Sequence, residues 1–309
     1  MTALLDVACH LPELSVDIRE IGERAGIDER LIANFRRFYG LSQVRRAPGG
    51  DLREALVAAA SGLTGLRGNE RRVRHVIYAR TISTVAAAHE NPLEDVCAAL
   101  GLSEASAFTL IEQGCATGLL AVELAGRLLA ADGDPDALAL VFSGEATFTP
   151  MIQLIPESTV LGECTAACLV GGGDDHDVLL GLAVHTYGKY AEDYPPKALD
   201  PAFLNDHNDL LAAVIQEAVE AAGAECADLT VILPHNVNRL SWVRTCRILG
   251  LPLDRVYLDN IPVTGHCFAA DPFVNLVHAR EAGRLRPGDL YLMASVGLGA
   301  TFSAAVLRH

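Results

Sequence analysis

Short apolar runs of strand type alternate with helical patterns along this chain, and that alternation constrains the fold more than any single residue does. Residues 74–79 read as a strand. Asn91 and Pro92 follow as the N-cap and first position of a helix running to Leu100, because Leu93, Val96, Cys97 and Leu100 fall on one helical face. Residues 108–111 read as a short strand, and 137–142 as a buried one. The helix between them, 116–131, is apolar nearly all round and is expected to be buried. Glycines 171 to 173, followed by Asp174 and Asp175, mark a break, and the alternation then resumes. Helical patterns cover 210–222, 239–249 and 273–282, and strand patterns cover 230–233, 290–295 and 301–307. The Pro- and Asp-rich stretch 190–209 reads as a surface loop or a connection between subdomains. The fold class expected is α/β with a layered sheet core. The chain of 309 residues divides near residue 173 into two comparable parts, 1–173 and 174–309, which leaves room for an old internal duplication.

Charge narrows the partners. Lys+Arg is 24 against Asp+Glu 39, a formal charge of −15, which repels phosphate backbones and anionic membrane surfaces. No nucleic-acid or membrane partner is expected. The opening residues carry no cationic signal-peptide pattern, and no window reaches the roughly 18 uninterrupted apolar residues of a membrane span. The eight cysteines are scattered without a paired C-x-x-C spacing and read as reduced thiols of a cytoplasmic protein.

Four segments carry residues suited to chemistry. Cys115, in Gln113-Gly114-Cys115-Ala116-Thr117-Gly118, falls between a strand and a helix start, where the helix dipole favours thiolate. It is either a nucleophile or a buried structural cysteine. His235 follows a strand in Pro234-His235-Asn236-Val237-Asn238, the position of an active-site group at a strand end or of a loop histidine. His266 and Cys267 stand just before a helix. As metal ligands they lack partners at ordinary zinc spacing, so no metal is expected. Asp271 either orients a histidine acting as base or caps the helix beginning near Phe273. Gly297 to Thr301 is either a tight hairpin turn or a place where backbone N–H groups meet a developing oxyanion. Glu145 reads as a strand-end acid that could lie near the site.

In order along the chain these segments resemble the ketoacyl synthase III branch of the thiolase-like condensing enzymes. The resemblance rests on Cys115 before an apolar helix, the Pro-His-x-x-Asn of 234–238, the Gly-x-x-x-Ala-Ala-x-Pro of 265–272, and the Gly-x-Gly-x-Thr of 297–301. His10 to Glu13 is similar to the turn after the family's opening strand, and Leu161-Gly162-Glu163-Cys164-Thr165-Ala166-Ala167 to its Gly-Asp-Gly-Ala-Ala element. The resemblance implies a five-layered αβαβα fold of two related halves, the first carrying the cysteine and the second the two histidines, in a homodimer. It also implies acyl transfer from a coenzyme A or acyl-carrier-protein thioester to Cys115, with the N–H groups of Cys115 and Gly299 as the oxyanion hole. His235 and His266 complete the catalytic set, with Asn238, Gly265 and Asp271 in support. No bound cofactor is implied.

Two departures shape the functional expectation. Decarboxylating members carry Asn where this chain has His266, and an imidazole can accept a proton as an amide cannot. The tryptophan that stacks on the coenzyme A adenine in typical members is missing from the N-terminal region, the single Trp being Trp242. The leading expectation is an acyltransferase of specialised metabolism that passes the acyl group to a hydroxyl, amine or carbon nucleophile. The alternatives are decarboxylative Claisen condensation, as in a 3-oxoacyl-carrier-protein synthase III, and a catalytically silent partner subunit.

Overall fold

A computed structural model describes residues 1–47, 49–82, 91–147, 152–155, 157–175, 177–190 and 199–309. The first part holds β1 (Thr2–His10), a small hairpin of β2 (Leu14–Asp17) and β3 (Gln43–Arg46) around α1 (Ile18–Arg24) and α2 (Glu29–Asn34), then α3 (Leu52–Ser61). It continues with β4 (Val73–Ala79), α4 (Pro92–Ala99), β5 (Ser106–Leu110), α5 (Thr117–Asp132) and β6 (Leu138–Ser143). A short pair, β7 (Leu154–Ile155) and β8 (Thr159–Val160), precedes β9 (Thr165–Gly172). The second part has β10 (Val178–Thr186), α6 (Pro201–Ala221), β11 (Leu229–Leu233), α7 (Arg239–Leu249) and α8 (Ile261–Thr264). It ends with α9 (Asp271–Glu281), β12 (Leu290–Gly297) and β13 (Thr301–Arg308).

The main sheet runs β11-β12-β13-β10-β1-β9-β6-β4-β5. From the β5 end the pairings are parallel, parallel, antiparallel, antiparallel up to β1. From the other end, Val256 bridges in parallel to Ile232 of β11, and the same alternation then leads to β10. One register pair, Ala3 with Val178, joins β1 to β10. Side-chain parity along each strand then sorts residues into layers. On β4, Val76 and Tyr78 face α3 and α4, while Ile77 faces the centre. On β12, Leu292 and Ala294 face α6 and α7, while Tyr291 and Met293 face the centre. Between the two halves of the sheet lie α5 and α9, which share one core through Leu119, Val122, Phe273 and Leu276. The result is the five-layered αβαβα arrangement, α3/α4 and α6/α7 forming the outer layers.

The structure revises some expectations. The helix α6 begins nine residues before the expected start, at Pro201, because Asp200 caps it (its carboxylate accepts the Ala202 N–H) and Phe203 buries against Tyr190 and Phe302. Of the stretch read as a surface loop, 201–209 are therefore helical, and 191–198 lie outside the described residues. The helix α9 starts at Asp271, with Ala270 rather than Asp271 at the N-cap position. The apolar helix α5 is buried along a stripe from Thr117 to Leu129, whereas Arg127 on its far side is exposed and pairs with Glu123. The segment Gly114–Asp132 is long and apolar enough to cross a membrane by composition, but half of it is packed in the core, as expected of a central helix. All eight cysteines are free thiols.

Candidate active site

Cys115 sits in a tight turn, Gly114–Ala116, that leads directly into α5, and is 5% exposed. The sixteen-residue helix behind it presents its positive end to the sulfur. Glycines bring the C-terminal turn onto this loop: a Cβ on Gly297 would lie 2.0 Å from the Gln113 carbonyl and 2.9 Å from the Gly114 Cα. The Ser295 hydroxyl, on β12, donates to the Cys115 carbonyl at 2.7 Å. Gly297 and the Leu298 backbone nitrogen are thus packed against the cysteine turn, and Gly299 follows two residues after Gly297 with φ 113°.

His266 reaches the cysteine from the opposite direction. Its backbone is fastened to the end of β8 and the residues after it, its N–H donating to Val160 O at 3.0 Å and its carbonyl accepting the Gly162 N–H at 2.8 Å. Gly265 before it has φ 65°, and a Cβ there would strike Val44 and the Val160 carbonyl, so this position requires glycine. The His266 Nε2 lies 3.2 Å from Cys115 Sγ, and its Nδ1 lies 2.5 Å from Asp271 Oδ2. Asp271 also accepts the Cys267 N–H at 2.7 Å and the Asn236 N–H at 2.5 Å, and it is fully buried. It orients the histidine rather than capping a helix. Burial opposes charge on His266, but the Asp271 carboxylate and then the Cys115 sulfur overcome this and hold the imidazole well above its ordinary range. The arrangement is a thiol, an imidazole that can take its proton, and a carboxylate that fixes the tautomer.

His235 is placed differently. It is fully buried on the loop after β11, and among the described residues neither ring nitrogen has a hydrogen-bond partner. Its ring stands 6.4 Å from that of His266 and 6.2 Å from that of His207, between centroids. Burial, then the neighbouring His207 and His266, push it well below the ordinary imidazole range, so it is neutral, with one donor and one acceptor nitrogen free. Trp242 is buried beneath it and donates its indole N–H to the His235 carbonyl at 3.2 Å, which removes the chain's single Trp from any role in stacking on an adenine.

Two cavities meet at Cys115. One, of about 110 Å³, is lined by Cys115, His235, His266, His207, Asn208 and Arg244, among others. The other, of about 250 Å³, is bounded by Thr81, Glu112, Leu161, Phe268 and Leu298. Asn238 caps α7, accepting the Ser241 N–H at 2.8 Å, and its side chain donates to Ser158 O at the rim of the first cavity. Glu145 is buried behind the second, taking the N–H groups of Thr81 and Ile82. Burial raises its carboxyl to about 7 against those two donors. The Thr81 hydroxyl in turn points at Cys115 Sγ, 3.6 Å away. Glu163, of the Gly-Glu-Cys variant, ties Thr147 and Ala47 together and pairs with Arg46 at 3.5 Å, a packing role. Among the described residues no group of three or more His, Cys, Asp or Glu is placed to hold a metal ion.

Sequence reasoning alone does not select His207, Thr81 or Asn275. His207 falls in the stretch that reads as a loop, although the Asp200-Pro201 start signal is enough to put it on a helix. Thr81 carries no signal beyond following a strand.

The comparisons with known proteins follow this geometry. The sequence profile for the C-terminal part of 3-oxoacyl-[acyl-carrier-protein] synthase III matches residues 219–309. A β-ketoacyl-[acyl-carrier-protein] synthase III of Roseiflexus castenholzii is 39% identical over 98 residues, 32% of this chain and 29% of that protein's length. One of Sphingopyxis alaskensis is 27% identical over 321 residues, 96% of each chain. Among solved structures, the 3-oxoacyl-[acyl-carrier-protein] synthase III of Aquifex aeolicus superposes with TM-score 0.82 at 19% identity over the whole of both chains. A structure called ChlB3, an acyltransferase, does so with TM-score 0.86 at 20% identity, over 99% of this chain and 97% of that one. The fold is that of these solved 3-oxoacyl-[acyl-carrier-protein] synthase III structures, and the C-terminal part of the chain is similar in sequence to such synthases.

Proposed function

We propose that this chain is an acyltransferase that takes an acyl group from a coenzyme A or acyl-carrier-protein thioester onto Cys115 and passes it to a hydroxyl or amine. The observation that carries this reading is the continuous line Cys115 Sγ–His266–Asp271, at 3.2 and 2.5 Å. In the first half-reaction the Cys115 thiolate attacks the thioester carbonyl. The N–H groups of Cys115 and Gly299 hold the oxyanion, and the departing thiol takes the proton from His266. In the second, His266 Nε2 accepts the proton of the acceptor hydroxyl or amine as that atom attacks the acyl-enzyme carbonyl and Cys115 departs. Every electron pair and proton is accounted for without a resident metal or redox group, and none is proposed. The name of the ChlB3 neighbour, an acyltransferase, supports this choice of reaction.

We further propose a homodimer working in the cytoplasm, where such thioesters are held and thiols stay reduced, in specialised metabolism rather than in fatty acid initiation. The boundary between its two halves is drawn at residues 173 and 174. A second reading, decarboxylative condensation with a malonyl thioester, is supported by His235, whose free ring nitrogen could donate to an enolate oxygen.

Intact-protein mass after exposure to a panel of acyl-coenzyme A and acyl-carrier thioesters tests the first step. A gain of one acyl group is expected in the wild type and none in Cys115→Ala. Loaded enzyme is then offered hydroxyl acceptors, amine acceptors and malonyl thioesters in parallel. Ester or amide products support the proposal, and efficient 3-oxoacyl product with carbon dioxide release selects the condensation instead. No adduct with any donor leaves the silent-subunit reading standing.

A further inference from the structure

Behind the triad, three asparagines form one buried cluster that neither cavity touches: Asn236 after β11, Asn260 before α8, and Asn275 on α9. Asn275 uses its whole amide. Its nitrogen donates to Pro234 O at 2.7 Å and to Asn236 Oδ1 at 2.9 Å. Its oxygen accepts from Asn260 Nδ2 at 2.7 Å and Asn236 Nδ2 at 3.3 Å. Asn236 is therefore held by a reciprocal amide pair, and its side chain also reaches Thr264 Oγ1 at 3.5 Å. Asp271 stands four residues before Asn275 and so on the same face of α9. The backbone N–H of Asn236 donates to Asp271 Oδ2, the same oxygen that faces His266 Nδ1. The peptide carrying that N–H also carries the His235 carbonyl, itself held by Trp242.

We propose that Asn275 and Asn236 are positioning residues for Cys115, His266 and Asp271: their reciprocal amide pair holds the His235–Asn236 peptide against Asp271 and so fixes the carboxylate oxygen that orients His266. The inference rests on the triad reading above. An amide fits this place because each of its donors and acceptors meets a partner, and no charge is added beside Asp271. The titratable groups around His266 are Asp271 on α9, Cys115 before α5, and His235 on the loop after β11. His207 on α6 stands beyond His235, and His278, further along α9, bonds to Asn260 Oδ1 at 2.8 Å at the outer end of the cluster. Loosening the amide pair lets the Asp271 oxygen drift from His266 Nδ1, and the imidazole then takes the Cys115 proton less readily.

The test needs no substrate. The rate of Cys115 alkylation by iodoacetamide is measured against pH, followed on the peptide that contains Cys115, in wild type, Asp271→Asn, Asn275→Ala and Asn260→Ala. Asn275→Ala breaks the amide pair and adds no charge, so any displacement of the profile comes through position. A loss on the order of tenfold at neutral pH is expected for it, with the profile displaced toward that of Asp271→Asn. A folded Asn275→Ala protein with the wild-type profile overturns the proposal, since a merely structural amide changes the melting temperature and leaves the profile alone. If Asn275→Ala does not fold, Asn260→Ala decides. It frees one acceptor site of Asn275 and weakens the hold on the Asn236 pair, so a displacement of a few-fold is expected and none overturns the proposal. If Asp271→Asn itself keeps the wild-type profile, the triad reading fails instead, which separates the two.

Discussion

Replacing Asp271 by Asn tests the chemistry at its most constrained point. The carboxylate accepts three hydrogen bonds at once, from His266 Nδ1, Asn236 N and Cys267 N, at 2.5, 2.5 and 2.7 Å. An amide of the same shape has one oxygen, so one of its faces presents an NH₂ to a donor. An unpaired buried donor costs about 1–3 kcal/mol. Removing the buried counter-charge of an imidazolium costs about 3–5 kcal/mol. Taking the charge effect alone, at about 1.36 kcal/mol per decade, acylation slows on the order of 10²–10⁴-fold. The pH dependence has a definite sign. The folded-state value of His266 lies above the unfolded one, so its pairing contributes stability that is fully present below about pH 6.5 and lost as pH rises through the raised folded value. The variant loses that contribution, and its deficit relative to wild type is largest at low pH. Rapid-quench mass measurement of acyl-enzyme formation, beside urea titrations at several pH values, reads both effects. Acylation within about threefold of wild type at every pH would refute the argument, because a histidine without its carboxylate would then be equally competent.

Three further outcomes follow from named contacts. His235→Phe should raise stability by about 1 kcal/mol in urea titration while lowering turnover, because the ring nitrogens it removes are buried without partners among the described residues. Glu145 is raised from 4.5 to about 7 by burial, so its ionisation opposes folding: stability is full below about pH 4.5 and has fallen by about 3 kcal/mol once pH has risen through 7. Glu145→Gln should remove that part of the slope, seen as a melting temperature whose difference from wild type changes sign or narrows between about pH 5 and 8. Asn238→Ala, which removes the cap of α7 and the bond to Ser158, should lower stability by about 1 kcal/mol in the same titration.

Much of the frame is legible from periodicity. The helix α7 is readable with its observed bounds, and α4 with its Asn91 cap, because start signals and apolar spacing coincide there. The strands β9 and β10 escape such a reading: β9 is Thr-Ala-Ala-Cys-Leu-Val-Gly-Gly, buried on both faces and so without alternation. The hairpin and helices between residues 14 and 46 escape it because they form a small satellite core of their own around Phe35 and Leu41. In the site, order along the chain brings Cys115, His235 and His266 forward together. A sequence does not say which nitrogen meets which oxygen. Asp271 is readable from it as an orienting group or as a cap, and only the three donors converging on its carboxylate decide between them.

The two histidines are separated by environment rather than by position. Both are buried, and both face the same cavity as Cys115. His266 has a carboxylate on one nitrogen and a thiol on the other, and these outweigh the burial that opposes its charge, so a proton is held there. His235 has neither, so the same burial drives its proton off and leaves a neutral ring. A condensing site needs two neutral donors converging on one thioester oxygen, which His235 and an amide would supply. Here the second group is an imidazole tied to Asp271, and a group that accepts a proton from an incoming hydroxyl is the one that acyl transfer to a heteroatom requires. Under the proposed reading the division of labour follows from a single carboxylate, because Asp271 holds a proton on one buried histidine and leaves the other neutral.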